Sequence, residues 1–370
     1  MTKKETLFKL FEKAQEKGKS IILIGNYGIG KSQVVYEYAQ KKAKEKGKEL
    51  VIWHLLTEEQ KKELIENREK LKNSFVVVDI KLQSIGDISK ITGIPLIVNG
   101  NSEHKVIWEL PLFLKVLSRE ESDGILFLDE INMANPSLQS TAFEIILQKK
   151  VGEWKLSNNV LVIGAGNTLD VNISANPIPR PLINRCVFIK FDGFDLEDWI
   201  KWAISKQLDE RVISFVKMFK ELYKDTEEEL EPSTRPRSFE ILSELIKNEE
   251  DIDYIELVAF GTLHKSTATE FINFIKLFDK LDYEKYINEP KLFEEKETQV
   301  KYAIVTLLAR NIEQIDIKRL MNFINHVSRN EPEFIMLLLM LIKNKSKVID
   351  KILLSLPRDI TDRFASILTF

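Results

Sequence analysis

Gly25, Gly28, Gly30, Lys31 and Ser32 stand at the spacing G-x-x-x-x-G-K-[ST] within IILIGNYGIGKSQ, residues 21–33. That spacing suits phosphate binding. A phosphate needs several backbone N–H groups aimed into one concavity, and glycine lets the chain curl that tightly. A helix beginning near Lys31 adds its positive end. The Lys31 ammonium then reaches the β- and γ-phosphates, and the Ser32 hydroxyl ligates Mg²⁺. Asn26, Tyr27, Ile29 and Gln33 complete the loop. An ordinary glycine turn would not need the full set of positions, an apolar run before it and a helical pattern after it.

The stretch GILFLDE, residues 124–130, supplies matching acidic groups. Its apolar residues read as a strand whose carboxyl end delivers Asp129 toward Mg²⁺, through water. Glu130 can then orient and deprotonate an attacking water. Asn167 follows the strand-like VLVIGAG, where a side-chain amide can hold that water. Arg185 stands just before the last strand pattern, a poor core position and a good one for reaching a neighbouring subunit. An arginine acting across an interface is worth up to ~10³–10⁵ in rate. Arg180 is its rival. Arg237, with Arg235 as the alternative, opens a helical pattern in EPSTRPRSFEIL and can report on the γ-phosphate. Together these residues point to a nucleoside triphosphate hydrolase, with ATP as the default nucleotide.

The elements needed to position them are legible as periodicity. Apolar runs at 21–25, 75–80, 124–129, 160–166 and 186–191 predict strands, with 50–55 as an extra one. Continuous apolar runs suit strands buried on both faces of a parallel sheet. Helical patterns at 31–46, 57–72, 108–118 and 136–149 alternate with them, an α/β doubly wound order. After Phe191 the pattern is helical, interrupted by the acidic stretch KDTEEELE (224–231), which reads as a solvated loop. The predicted organisation is an α/β domain over 1–193, a helical domain over 194–300 and a helical segment over 301–370.

Bulk composition limits the partners. The chain has 370 residues, 44% of them apolar, enough for a sizeable core. Its net charge of -3 gives no global drive toward nucleic acid or an anionic membrane. A single cysteine, Cys186, excludes an intrachain disulfide and fits a reducing compartment. The first twenty residues lack the features of a signal peptide. The longest apolar run, FIMLLLMLI, is far short of the ~20 residues that span a bilayer. The expected location is the cytoplasm. His54, His104, His264 and His326 are scattered and carry no metal-site spacing.

With those residues in view, the chain resembles AAA+ ATPases of the MoxR-like family over about residues 15–270. Gly25–Ser32 correspond to Walker A, Asp129 and Glu130 to Walker B, Asn167 to sensor 1, Arg185 to the arginine finger and Arg237 to sensor 2. The resemblance implies a five-stranded parallel sheet in the order 5-1-4-3-2, a helical lid, and a hexameric ring. Residues 87–114 resemble the hairpin inserted in the second helix of this clade, and 149–159 the hairpin before sensor 1. Both would face the pore. The implied activity is Mg²⁺-dependent ATP hydrolysis driving the remodelling of a protein client, with a von Willebrand factor A domain protein as a typical partner. A DNA-directed motor of a restriction or replication system is the alternative, which the near-neutral charge disfavours. A nucleotide-dependent binding switch with little turnover is a third, and Glu130 argues against it. Asn26 and Tyr27 replace the family's proline pair, residues 49–73 are longer than usual, and the last 70 residues match no familiar pattern.

Overall fold

The computed structural model describes residues 3–99, 104–168, 176–226, 228, 230–344, 349, 352 and 356. The chain forms two compact units, Met1–Phe194 and Asp195–Phe370.

The first unit runs α1 (Lys3–Glu16), β1 (Ile21–Ile24), α2 (Lys31–Glu45), β2 (Glu49–Ile52), α3 (Glu58–Glu66), α4 (Arg68–Lys72), β3 (Ser74–Lys81), α5 (Ser89–Thr92), β4 (Ile94–Asn99), β5 (His104–Glu109), α6 (Leu112–Leu117), β6 (Gly124–Asp129), α7 (Pro136–Gln148), β7 (Lys150–Val151), β8 (Trp154–Lys155), β9 (Val160–Gly166), α8 (Arg180–Ile183) and β10 (Val187–Lys190). Six strands form one parallel sheet in the order β10-β1-β9-β6-β3-β2. This is the expected 5-1-4-3-2 order with one more strand, β2, on the far edge. β1, β6 and β9 are buried at every residue, whereas edge strands β2 and β10 are only partly so. That explains why the inner strands read as unbroken apolar runs and β2 did not.

One face of the sheet packs Ile22, Val76, Leu126 and Val162 against Leu114 of α6 and Ala142 and Ile145 of α7. On α1 and α2, Phe11 and Tyr38 meet edge to face at 5.2 Å. Two helix expectations change. The pattern at 57–72 is two helices, because Asn67 turns extended and caps α4 through Lys70 N–H at 2.9 Å. The pattern at 108–118 is strand up to Glu109 and helix only from Leu112. Both expected hairpins form, β4–β5 and β7–β8, each antiparallel.

The second unit contains α9 (Leu196–Ser205), α10 (Glu210–Phe219), α11 (Pro236–Ile246), α12 (Ile252–Thr262), α13 (Lys265–Ile275), α14 (Tyr283–Asn288), α15 (Lys291–Glu294), α16 (Thr298–Arg310), α17 (Ile317–Asn330) and α18 (Pro332–Ile342). One apolar core runs from Trp199 through Phe215, Phe271 and Ile304 to Leu338. α18, the most apolar run of the chain, is buried in it. The acidic stretch is more than a solvated loop. Asp225 pairs with buried Arg235, and Glu231 accepts from Thr226 Oγ1 at 2.6 Å and from Lys265 N–H at 3.0 Å. No helix among the described residues is long and apolar enough to cross a membrane.

Candidate functional site

β1 ends at Ile24 and the glycine loop follows at once. Gly28 and Gly30 have φ of 68° and 95°, the left-handed region that penalises any residue with a Cβ. At Gly30 a Cβ would also lie 2.7 Å from the Phe194 ring. Gly30 is the N-cap of α2, and no side chain caps that helix. The first N–H groups of a helix have no intrahelical partner. An uncapped start therefore suits an anion.

The Lys31 side chain folds back over its own loop. Its Nζ donates to Gly25 O at 2.8 Å, Asn26 O at 2.6 Å and Asn167 Oδ1 at 3.0 Å. All three acceptors are neutral. Lys31 is only 8% exposed, and burial drives its pKa down to about 8, although the charges of Asp129 and Glu130 oppose that shift. A phosphate would supply the anionic partner that neutral acceptors do not.

Ser32 Oγ donates to Asp129 Oδ2 at 2.8 Å, joining α2 to the end of β6. A hydroxyl and a carboxylate side by side are hard oxygen donors. Mg²⁺ is commonly held by one or two carboxylates, with phosphates and waters filling the remaining positions. The donor set therefore fits Mg²⁺ shared with a bound nucleotide. Glu130 is half-buried on backbone with φ 56°, uncommon for a residue other than glycine. Three hydrogen bonds hold that turn: Glu130 N–H to Asp129 Oδ1, Ile131 N–H to Ala165 O and Met133 N–H to Glu130 O, each at 2.9 Å. Asn167 follows β9 directly, so the amide, the lysine and the two acidic residues meet at the carboxyl ends of β1, β6 and β9.

Neighbouring polar contacts that the motif spacing did not reveal support these residues. Asn132 pairs with both backbone groups of Asn167, and Thr168 Oγ1 donates to Asn26 Oδ1 at 2.7 Å. The Tyr36 hydroxyl donates to Asp79 Oδ2 at 2.6 Å, one helical turn beyond Ser32. Burial raises the Asp79 pKa; the Tyr36 hydrogen bond works against that rise, and the charge of Asp129 adds to it.

The arginines of the first unit are placed differently. Arg185 is exposed, and β10 begins two residues later with Val187 paired to Ile21. Arg185 thus sits at the amino ends of the strands, whereas the glycine loop follows their carboxyl ends. Arg180 is exposed at the start of α8. In the helical unit Arg237 is exposed on the first turn of α11, while Arg235 is buried against Asp225. Two cavities in that unit, of about 320 and 340 Å³, are lined by residues such as Asp209, Lys247 and Arg310 and by none of the predicted site residues.

Residues 20–186 match the AAA domain of the dynein-related subfamily. The first unit carries an AAA+ domain. Such domains are nucleotide-hydrolysing in general, and the glycine loop with Asp129 and Glu130 lies inside the matched span. No curated protein matches the chain. Solved structures similar to it include a point mutant of Thermotoga maritima RuvB, at 12% identity over 85% of this chain and 83% of that chain, with a TM-score of 0.34. NtrX from Brucella abortus in complex with ADP is similar at 12% identity, over 84% and 64%, with a TM-score of 0.36. A DNA replication initiation factor is similar at 13% identity, over 94% of each chain, with a TM-score of 0.32.

Proposed function

We propose that this protein is a Mg²⁺-dependent ATPase of MoxR-like character that forms a ring and uses hydrolysis to remodel a protein client. The observation that carries the ATPase reading is Lys31, buried among neutral acceptors beside the Ser32–Asp129 pair. On this reading Lys31 and the N–H groups at the start of α2 bind the phosphates. Ser32 and Asp129 would hold Mg²⁺, which when bound neutralises charge on the phosphates. Glu130 takes the proton of the attacking water, and Asn167 orients that water. Arg185 serves a neighbouring subunit, and Arg237 reports nucleotide state to the helices.

The β4–β5 hairpin supports a protein client. Cross-strand pairs Leu96–Ile107, Ile97–Val106 and Pro95–Trp108 put apolar groups on both faces of the ribbon. Ile97 is 71% exposed and Val106 57%. An isolated ribbon with apolar groups on both faces matches an apolar peptide segment better than a phosphate backbone, whose binding rests on Lys and Arg.

The test is ATP turnover by the full chain, alone, with a permanently unfolded protein (reduced, carboxymethylated α-lactalbumin), and with single- and double-stranded DNA. Stimulation by the unfolded protein, lost in Ile97→Ser and Trp108→Ser variants of unchanged basal rate, is expected. Stimulation by DNA alone would replace the client reading with that of a DNA motor. No turnover under any condition would remove the ATPase reading.

A further inference from the structure

We infer that Asn132 is a positioning residue for catalysis: it fixes Asn167 relative to Glu130. The inference rests on the reading of Asn167 and Glu130 as the pair that flanks the attacking water.

Asn132 Oδ1 accepts the N–H of Asn167 at 2.9 Å, and its Nδ2 donates to the C=O of the same residue at 2.8 Å. A carboxamide that satisfies both backbone groups of one residue imitates a neighbouring strand. It extends the pairing of β6 with β9, whose last paired residues are Leu128 and Gly164, past the point where the strands end. Asn132 is 2% exposed, so no solvent competes for either bond. The fit also depends on Gly166, where a Cβ would lie 2.6 Å from Asn132 Oδ1.

The second half of the argument is where Asn132 sits in the chain. It lies in the turn that follows Glu130 and is closed by Met133 N–H on Glu130 O. One short, hydrogen-bonded turn therefore carries the acidic residue and grips the amide. The spacing between Glu130 and Asn167 is set by two peptide units and two hydrogen bonds, not by the independent packing of two loops. Asn132 also ties down the chain beyond the sensor. Its C=O accepts Asn176 N–H at 2.7 Å, and Asn176 Nδ2 reaches Ala134 O at 3.3 Å. The side chain needs one donor and one acceptor at this reach. Asp lacks the donor, Gln is a methylene too long, and Ala has neither group.

Catalytic geometry is sensitive to such support, since a small misplacement of a positioning group costs far more in rate than in binding. The experiment compares Asn132→Ala, Asn167→Ala and the double variant, each measured for ATP affinity with a fluorescent analogue, single-turnover hydrolysis and thermal midpoint. Asn132→Ala should keep affinity within about threefold and lose hydrolysis by about 10- to 100-fold, as Asn167→Ala does. In the double variant the second substitution should add less than about twofold, because residues that act through one another are not additive. Gly166→Ala, which presses on Asn132 Oδ1, should reproduce the loss and serves if Asn132→Ala does not fold. If Asn167→Ala hydrolyses normally, the underlying reading of Asn167 fails. If Asn167→Ala is impaired while folded Asn132→Ala is not, this inference alone fails, whatever Gly166→Ala does, because a Cβ at Gly166 would also lie 2.8 Å from Ile24 Cδ1. Losses that multiply in the double variant would show that Asn132 acts on something other than Asn167, and would also overturn it.

Discussion

Lys31 dominates the site's charge balance. Its ammonium is buried and donates to two carbonyls and an amide oxygen, and burial already lowers its pKa to about 8. Such a group gains most from an incoming phosphate, so Lys31→Ala should weaken ATP binding by about 100-fold or more, read by calorimetric titration. Unchanged affinity would remove the loop from the phosphate role. Glu130→Gln separates binding from chemistry. The amide keeps the shape and cannot take the water's proton, so ATP should stay bound while hydrolysis falls by about 10²–10³. A wild-type rate in that variant would take Glu130 out of the base role. These two residues were legible because their meaning lies in contiguous spacing: a glycine loop after one apolar run, two acidic residues after another. Asn132 and the Thr168–Asn26 and Tyr36–Asp79 bonds were not. Each joins groups 35 to 142 positions apart, so the signal exists only once the strands are aligned.

At the scale of elements, legibility followed the continuity of apolar runs, which the partly buried edge strand β10 shares with the inner strands. Inner strands appeared within a residue of their bounds because both faces are covered. β2, on the edge, was blurred into the short 3₁₀ turn Trp53–Leu55 that follows it. The helical unit hides its polar supports in the same way. Asp209 caps α10 through Arg211 N–H at 2.9 Å, and its carboxylate holds the Arg211 guanidinium at 2.8 and 3.0 Å. Arg211 also donates to Ile246 O and Glu249 O, at 2.6 and 2.7 Å, and is 2% exposed. Burial opposes its charge, and Asp209 more than offsets this, so its pKa is raised. Asp209→Ala would leave that buried cation with only the exposed Glu250 carboxylate, 3.9 Å away, as a counter-charge and should cost about 3 kcal/mol in urea unfolding. A loss under 1 kcal/mol would mean that water replaces the carboxylate. Lys220, by contrast, ends α10 in an exposed left-handed conformation with φ 61°. Lys220→Gly should stabilise the chain by about 0.5–1 kcal/mol, because glycine adopts that conformation without the Cβ penalty. A lower thermal midpoint would contradict it.

At the scale of the whole molecule, the position of Arg185 argues for a shared catalytic site. Val187 pairs with Ile21 and Lys190 with Ile24, so Arg185 lies before the amino end of β10. The glycine loop lies past the carboxyl end of β1, roughly 13 Å away along four residues of strand. The arginine is exposed, and β10 is an edge of the sheet. An exposed arginine on that edge, at the far end of the strands from its own phosphate loop, is better placed to serve a neighbouring copy's nucleotide. Arg185→Ala should therefore bind ATP nearly as well as the unaltered chain and hydrolyse it at least ~10³-fold more slowly. Mixing separates action in trans from a local effect. Arg185→Ala protein lacks the arginine and keeps Glu130, whereas Glu130→Gln protein lacks the base and keeps Arg185. Each should be nearly inactive alone. In the proposed ring, a mixed assembly would contain interfaces where an intact Glu130 faces an intact Arg185, and those should recover hydrolysis in proportion to their number. The recovered rate should peak near equal amounts of the two proteins, where such interfaces are most frequent. Subunit exchange is followed independently, by energy transfer between dyes on the two variants. Exchange without any recovered activity would show that Arg185 does not act across an interface. Normal hydrolysis by Arg185→Ala alone would pass the role to Arg180, exposed at the start of α8.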